Sequence, residues 1–115
     1  MALNDTILNI GNAAMQTAIT HAQIHTAQPN ASGSNEASSA RQAITWVTAA
    51  NGDLVATVDL AFTGGAASGA ATHIGFWSAA TTGTFYGWQT LTGDQTFNSA
   101  GEYTVTGITI TGTAS

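Results

Sequence analysis

Thr72-His-Ile-Gly-Phe-Trp-Ser-Ala-Ala-Thr-Thr-Gly-Thr-Phe-Tyr-Gly-Trp-Gln-Thr-Leu91 holds two of the three tryptophans in the 115-residue chain and decides how the rest is read. Two aromatic runs flank a small-residue segment ending at Gly83, the pattern of a β-hairpin with a loop of several residues. Alternation puts Ile74 and Phe76 on one face of the first strand, and His73 and Trp77 on the other. Gly75 and Gly87 are poor strand residues, so each marks a bulge or the close approach of a large neighbour. Both faces of this hairpin are therefore expected to be covered, and the pair to lie mid-sheet rather than at an edge.

Working outward, Asp5 is placed to cap a helix over about 5–19. Its apolar positions Ile7, Leu8, Gly11, Ala14, Met15, Ala18 and Ile19 share one side, opposite Asn9, Asn12 and Gln16. The small residues on that side would let the helix lie close on a sheet and plug one end of the core. From Thr20 the period drops to two, giving a first strand with Ala22, Ile24 and Thr26 on one face. His21, Gln23 and His25 occupy the other face, where the histidines are expected in solvent or at an interface. Residues 28–40 form a polar loop with the only proline, Pro29; its length suits a docking loop that orders on contact better than a simple connection.

Arg41 to Thr48 reads as a second strand with Ile44 and Trp46 on one face, and Asn51-Gly52 is the strongest hairpin signal in the chain. Beyond it Leu54, Ala56, Val58, Leu60 and Phe62 alternate with Val55, Thr57, Asp59 and Ala61 as a half-buried strand. Gly93-Asp94 makes a turn and Phe97 anchors a short strand. In the last strand Tyr103 and Val105 are out of phase with Ile108 and Ile110, so a bulge is expected at Gly107. Six or seven short strands behind one helix predict a mostly β fold: an antiparallel β-sandwich forming a single domain over 1–115. Trp46, Trp77, Phe62, Phe76 and Phe85 are its core candidates.

Composition removes several functions. Arg41 is the sole cation among six acids and three histidines, and the formal net charge is -5. Without a lysine there is no P-loop and no Schiff base, and without a basic surface nucleic acid is not an expected partner. An acidic chain is likewise unsuited to an anionic membrane surface, and no segment approaches a membrane span. Absent cysteine excludes disulfides and thiolate metal sites. The start lacks the basic and apolar regions of a signal peptide, so synthesis in the cytoplasm and export only within a larger particle are expected. A surface of Thr, Ser, Asn, Gln and small residues, with only 6% charged residues, invites association with neighbours.

For catalysis the residues offer little. His73, Asp59 and Ser78 can be drawn as a triad, but no Gly-x-Ser-x-Gly elbow accompanies them, and the acids show no paired spacing. His21 and His25 would sit about 13 Å apart on a strand, too far to share a metal. No catalytic residue, metal or cofactor is expected. Trp77, Tyr86 and Trp88 could form an aromatic contact surface for a partner or a sugar if they are exposed; buried, they would be core.

One resemblance is specific. His25-Thr-Ala-Gln-Pro29, Asn35-Glu-Ala37, Ala40-Arg-Gln-Ala-Ile-Thr-Trp46, His73-Ile-Gly-Phe-Trp-Ser-Ala79 and Gly83-Thr-Phe-Tyr-Gly87 together resemble small structural proteins of actinobacterial tailed bacteriophages, of the tail fibre or minor tail type. The resemblance covers most of the chain. It departs at Gln28, where such proteins often carry an acid before the proline, and residues up to Ser115 hold no Gly-rich shaft, so a compact accessory unit is expected. It implies a non-enzymatic virion protein, assembled in the host cytoplasm and docked as a homo-oligomer on other virion proteins, with Arg41 and Glu36 bracing the loop after the first strand. Capsid decoration on the major capsid lattice is the alternative location. A carbohydrate-binding module for the host envelope, acting through Trp77, Tyr86 and Trp88, is the alternative class.

Overall fold

A computed structural model describes residues 5–47, 54–57 and 59–110. Among the described residues one helix, α1 (Asp5–Ala18), precedes eight short strands. They are β1 (His21–His25), β2 (Gln42–Ala43), β3 (Leu54–Val55), β4 (Leu60–Phe62), β5 (His73–Trp77), β6 (Phe85–Thr90), β7 (Tyr103–Val105) and β8 (Thr109–Ile110). The fold is mostly β with one N-terminal helix, as expected, and every described strand pair is antiparallel.

Four strands form the main sheet in the order β2-β1-β5-β6. The hairpin over 73–90 exists, and β5 is interior, but β6 is the sheet's edge rather than a central strand. A register shift beside Phe76 and Trp77 bends it: Phe85 pairs with Trp77 while Gly87 pairs with Phe76, so Tyr86 is the bulged residue.

The other layer is one continuous pairing broken into two ribbons, β3 with β8 and β4 with β7. The long strand expected from Leu54 to Phe62 is interrupted: Val55 pairs with Thr109 and Leu60 with Val105, so the register slips by one residue between the two ribbons, and Asp59 is solvent-exposed. That mismatch is the slip expected near Gly107, whose φ is +63°; the extra residue lies on the opposite strand. Val105 and Ile108 accordingly both point inward. Flanking the Asn51-Gly52 turn, which lies outside the described residues, Trp46 bridges Ala56 and Val47 N–H donates to the Val55 carbonyl. Phe97 is buried beside an isolated Ala70–Thr96 bridge.

One face of the main sheet, carrying Ala22, Ile24, Ile74 and Phe76, packs on Leu60, Phe62 and Val105 of the ribbons. Ile19, Ile44, Leu91, Phe97 and Ile108 close this core, with Trp46 packed against it.

The helix does not lie as its apolar pattern suggested. Ile10 and Met15 are exposed, at 62% and 42%, while Asn12 is buried and Gln16 donates to the Val47 carbonyl at 2.6 Å. Its C-terminus explains the orientation. The Trp46 indole N–H donates to the Ile19 carbonyl at 3.0 Å, and Thr20 bonds Trp77 and Ser78, so the helix end is pinned and Ile19 alone of its last turn enters the core. The polar stripe through Asn12 and Gln16 therefore faces the chain, and much of the apolar side does not.

Candidate functional site

The second face of the main sheet is covered too, but by a different kind of interior. Residues 26–41 fold over it and are fastened along their length. Thr26 and Ala37 N–H groups donate to the Asn35 and Ile24 carbonyls, and Glu36 bridges His25. Gln23, itself buried, exchanges bonds with Ser39: its Nε2 donates to the Ser39 carbonyl at 2.6 Å and its Oε1 accepts from the Ser39 hydroxyl at 2.7 Å. A mobile loop awaiting a partner is thus not what the chain has here. The reason is that Gln23 and His25, on the outward face of β1, and the Ile24 carbonyl each offer this segment a partner.

Beneath the loop lie His25, Trp77 and Phe85. His25 is fully buried rather than solvated, which corrects the expectation for this histidine; the cover comes from residues ten positions downstream, a contact that alternation does not reveal. Its Nδ1 sits 2.8 Å from the Ser34 carbonyl, and Trp77 Nε1–H points to its Nε2 at 3.4 Å with the two ring planes 6° from parallel. Since a carbonyl only accepts and an indole N–H only donates, the ring is neutral with its proton on Nδ1. Burial pushes the His25 pKa below its ordinary value of 6.5, against the favourable pull of the Ser34 carbonyl and Glu36.

Two glycines make this fit. A Cβ at Gly33, where φ is +81°, would stand 2.5 Å from the Trp77 ring, and one at Gly75 would stand 2.4 Å from His25 Nε2. The close approach expected at Gly75 is therefore real, with His25 as the neighbour.

Arg41 closes the cluster. Its Nε donates to Glu36 Oε1 at 2.8 Å and its Nη1 to the Ala79 and Thr82 carbonyls at 3.0 and 2.7 Å, with the guanidinium 3.7 Å over the Trp77 ring. The Arg41 side chain is almost wholly buried; that of Glu36 is about a third exposed. A cavity of about 520 Å³ opens beside them, lined by Gln23, Ser39 and Thr81 among others.

Of the three aromatic residues singled out as contacts, Trp77 is buried under this loop and cannot belong to an external platform. Tyr86 and Trp88 are exposed, at 50% and 38%. They form a ridge on β6 between two grooves. One, of about 380 Å³, runs to Pro29, Asn30 and Ala31; the other, of about 190 Å³, runs to Met15 and Ile19. Trp88 stands edge-on to His73, with ring centroids 5.1 Å apart. Among the described residues no backbone group bonds the outer edge of β6.

His73, Ser78 and Asp59 do not assemble: His73 Nδ1 pairs with the Thr72 hydroxyl, Ser78 Oγ accepts from Thr84 N–H, and Asp59 is exposed elsewhere. No group of three metal-ligating side chains occurs among the described residues, and no described helix is long and apolar enough to cross a membrane.

A model of the family described as podophage GP4 fiber I protein gp80 matches residues 2–113. No curated protein and no solved structure matches the chain.

Proposed function

The chain belongs to the podophage GP4 fiber I protein gp80 family, and from that membership we propose that it is a non-enzymatic structural subunit of a phage tail. It assembles in the host cytoplasm, docks as a homo-oligomer on other virion proteins, and travels with the virion. The observation that carries this reading is the surface formed by α1 and β6. Met15, Tyr86 and Trp88 are large, exposed and joined across a shared groove, Ile10 is exposed on the same helix, and residues 6–19 and 85–90 contain no charged side chain. Exposed apolar ridges on an uncharged ground favour protein contact. On the far side of β1, Arg41 and Glu36 are proposed to brace the 26–41 loop and the 79–82 turn as one rigid unit.

Quantitative mass spectrometry of purified virions tests the location. A low copy number matching tail symmetry supports a tail subunit. A ratio near one per major capsid protein, or one per capsomer, makes it a capsid decoration protein instead. Absence from virions removes both.

Tyr86 and Trp88 beside the Pro29–Ala31 groove also favour a second reading, in which β6 stacks on a neutral saccharide of the host envelope. Titration with neutral oligosaccharides should then shift tryptophan fluorescence in the wild type and not in Trp88→Ala; an unchanged spectrum rejects it.

A further inference from the structure

We propose that His25 is a proton-operated latch: the neutral ring holds residues 29–34 closed over the outer face of the main sheet, and proton uptake at Nε2 releases that segment and uncovers Trp77 and Phe85. The geometry leaves no place for a second ring proton. Nδ1–H is already committed to the Ser34 carbonyl, and Nε2 accepts from the Trp77 indole N–H. Protonation would set an Nε2–H donor against the Trp77 indole N–H donor, with the two ring planes only 6° from parallel. The ring cannot slide away, because it is fully buried and packs on the bare Cα of Gly75 and on Phe85.

The surrounding charges divide. Arg41, lying over Trp77, and His73, the register partner of His25 on β5, both oppose a new positive charge. Glu36, paired across the bridge, favours it but is already bonded to Arg41. Burial outweighs the favourable pair, so the folded chain takes up this proton less readily than the unfolded one. Stability from a group held below its ordinary value is full above 6.5 and falls as the pH drops from there toward the depressed value.

Local release is the low-cost response. Residues 29–34 lie over the face of the sheet opposite the main core, through Gly33 on Trp77 and Ser34 on His25, whereas Ala37 packs on the core and Ser38 and Ala40 bond Gly64 and Thr63; residues 29–34 can therefore lift without opening the contacts among Ile24, Ile74, Phe62 and Phe76. Gly33 would leave the Trp77 ring, and the aromatic face of β5 and β6 would be bared.

The test is a pH titration of the whole ¹⁵N-labelled chain by NMR, from about pH 8 to pH 4. At neutral pH, His25 should show the Nδ1–H tautomer and Trp77 an exchange-protected indole N–H. On acidification His25 should protonate with a midpoint below 6.5. At that same midpoint the Gly33–Trp77 cross-peaks should vanish while those between Ala22 and Phe76 persist. Glu36→Gln, which removes the neighbouring carboxylate, should keep the step, and His25→Gln should lose it. An Nε2–H tautomer at neutral pH overturns the latch. So does protonation with the Gly33–Trp77 contact intact, or an acid step that disappears in Glu36→Gln. The wild-type titration decides the matter even if His25→Gln does not fold.

Discussion

Arg41 combines three hydrogen bonds with a cation–π contact to Trp77, and its replacement has a calculable sign. Arg41→Ala leaves two backbone carbonyls and Glu36 without their donor and removes the cation from the Trp77 face. A loss of about 2–3 kcal/mol in unfolding free energy is expected by urea denaturation. Arg41→Lys should recover little, since one ammonium cannot span these partners while covering the ring. Glu36→Gln should cost under about 1 kcal/mol, because its carboxylate is partly solvated. An Arg41→Ala protein as stable as wild type would mean that these contacts brace nothing. Gly75→Ala is the companion case: its Cβ meets His25 and Phe85 under 3.0 Å, so about 1–3 kcal/mol should be lost, with His25 displaced in the NMR spectrum. Sequence made Gly75 legible as a site of close approach, because glycine in a strand has few other reasons to be there. It did not make His25 legible, since burial of that ring depends on Ser34 and Gly33 arriving from a loop.

At the scale of elements, the alternation in β1, β4 and β5 was readable from residue order because each has one face on the apolar core. The helix was readable in extent and not in rotation. Its phase is set by the Trp46 indole at the Ile19 carbonyl and by Gln16 at Val47, long-range bonds that override a weak small-residue stripe. Gly11 records the consequence: nothing lies within 4 Å of where its Cβ would be. Gly11→Ala should therefore stabilise the protein by about 0.5–1 kcal/mol through helix propensity alone. A loss of stability on thermal melting would mean that this position is packed. The sequence places β6 mid-sheet because its aromatic residues and glycines predict cover on both faces, a pattern that says nothing about whether its outer edge is paired. The strand lacks the lysine or proline that usually protects an edge, having only a bulge.

The whole molecule joins these observations to assembly. If α1 and β6 form the homo-oligomer contact, Met15→Glu and Trp88→Glu should each shift the mass measured by light scattering toward the monomer, with little change in melting temperature, since both side chains are partly solvent-exposed in the single chain. The response to salt separates this interface from an electrostatic one. Each copy carries a formal charge of -5, and Arg41 is consumed internally. Two copies therefore repel at long range while residues 6–19 and 85–90, which supply their contact face, hold no charged side chain. Screening shortens that repulsion from tens of ångströms at millimolar salt to about 8 Å at physiological strength, and added salt does not weaken apolar contact. Association should tighten between about 50 and 500 mM NaCl. Dissociation over that range would place ion pairs at the interface and move it to the acidic loops at Glu36, Asp94 or Glu102, away from the α1–β6 face.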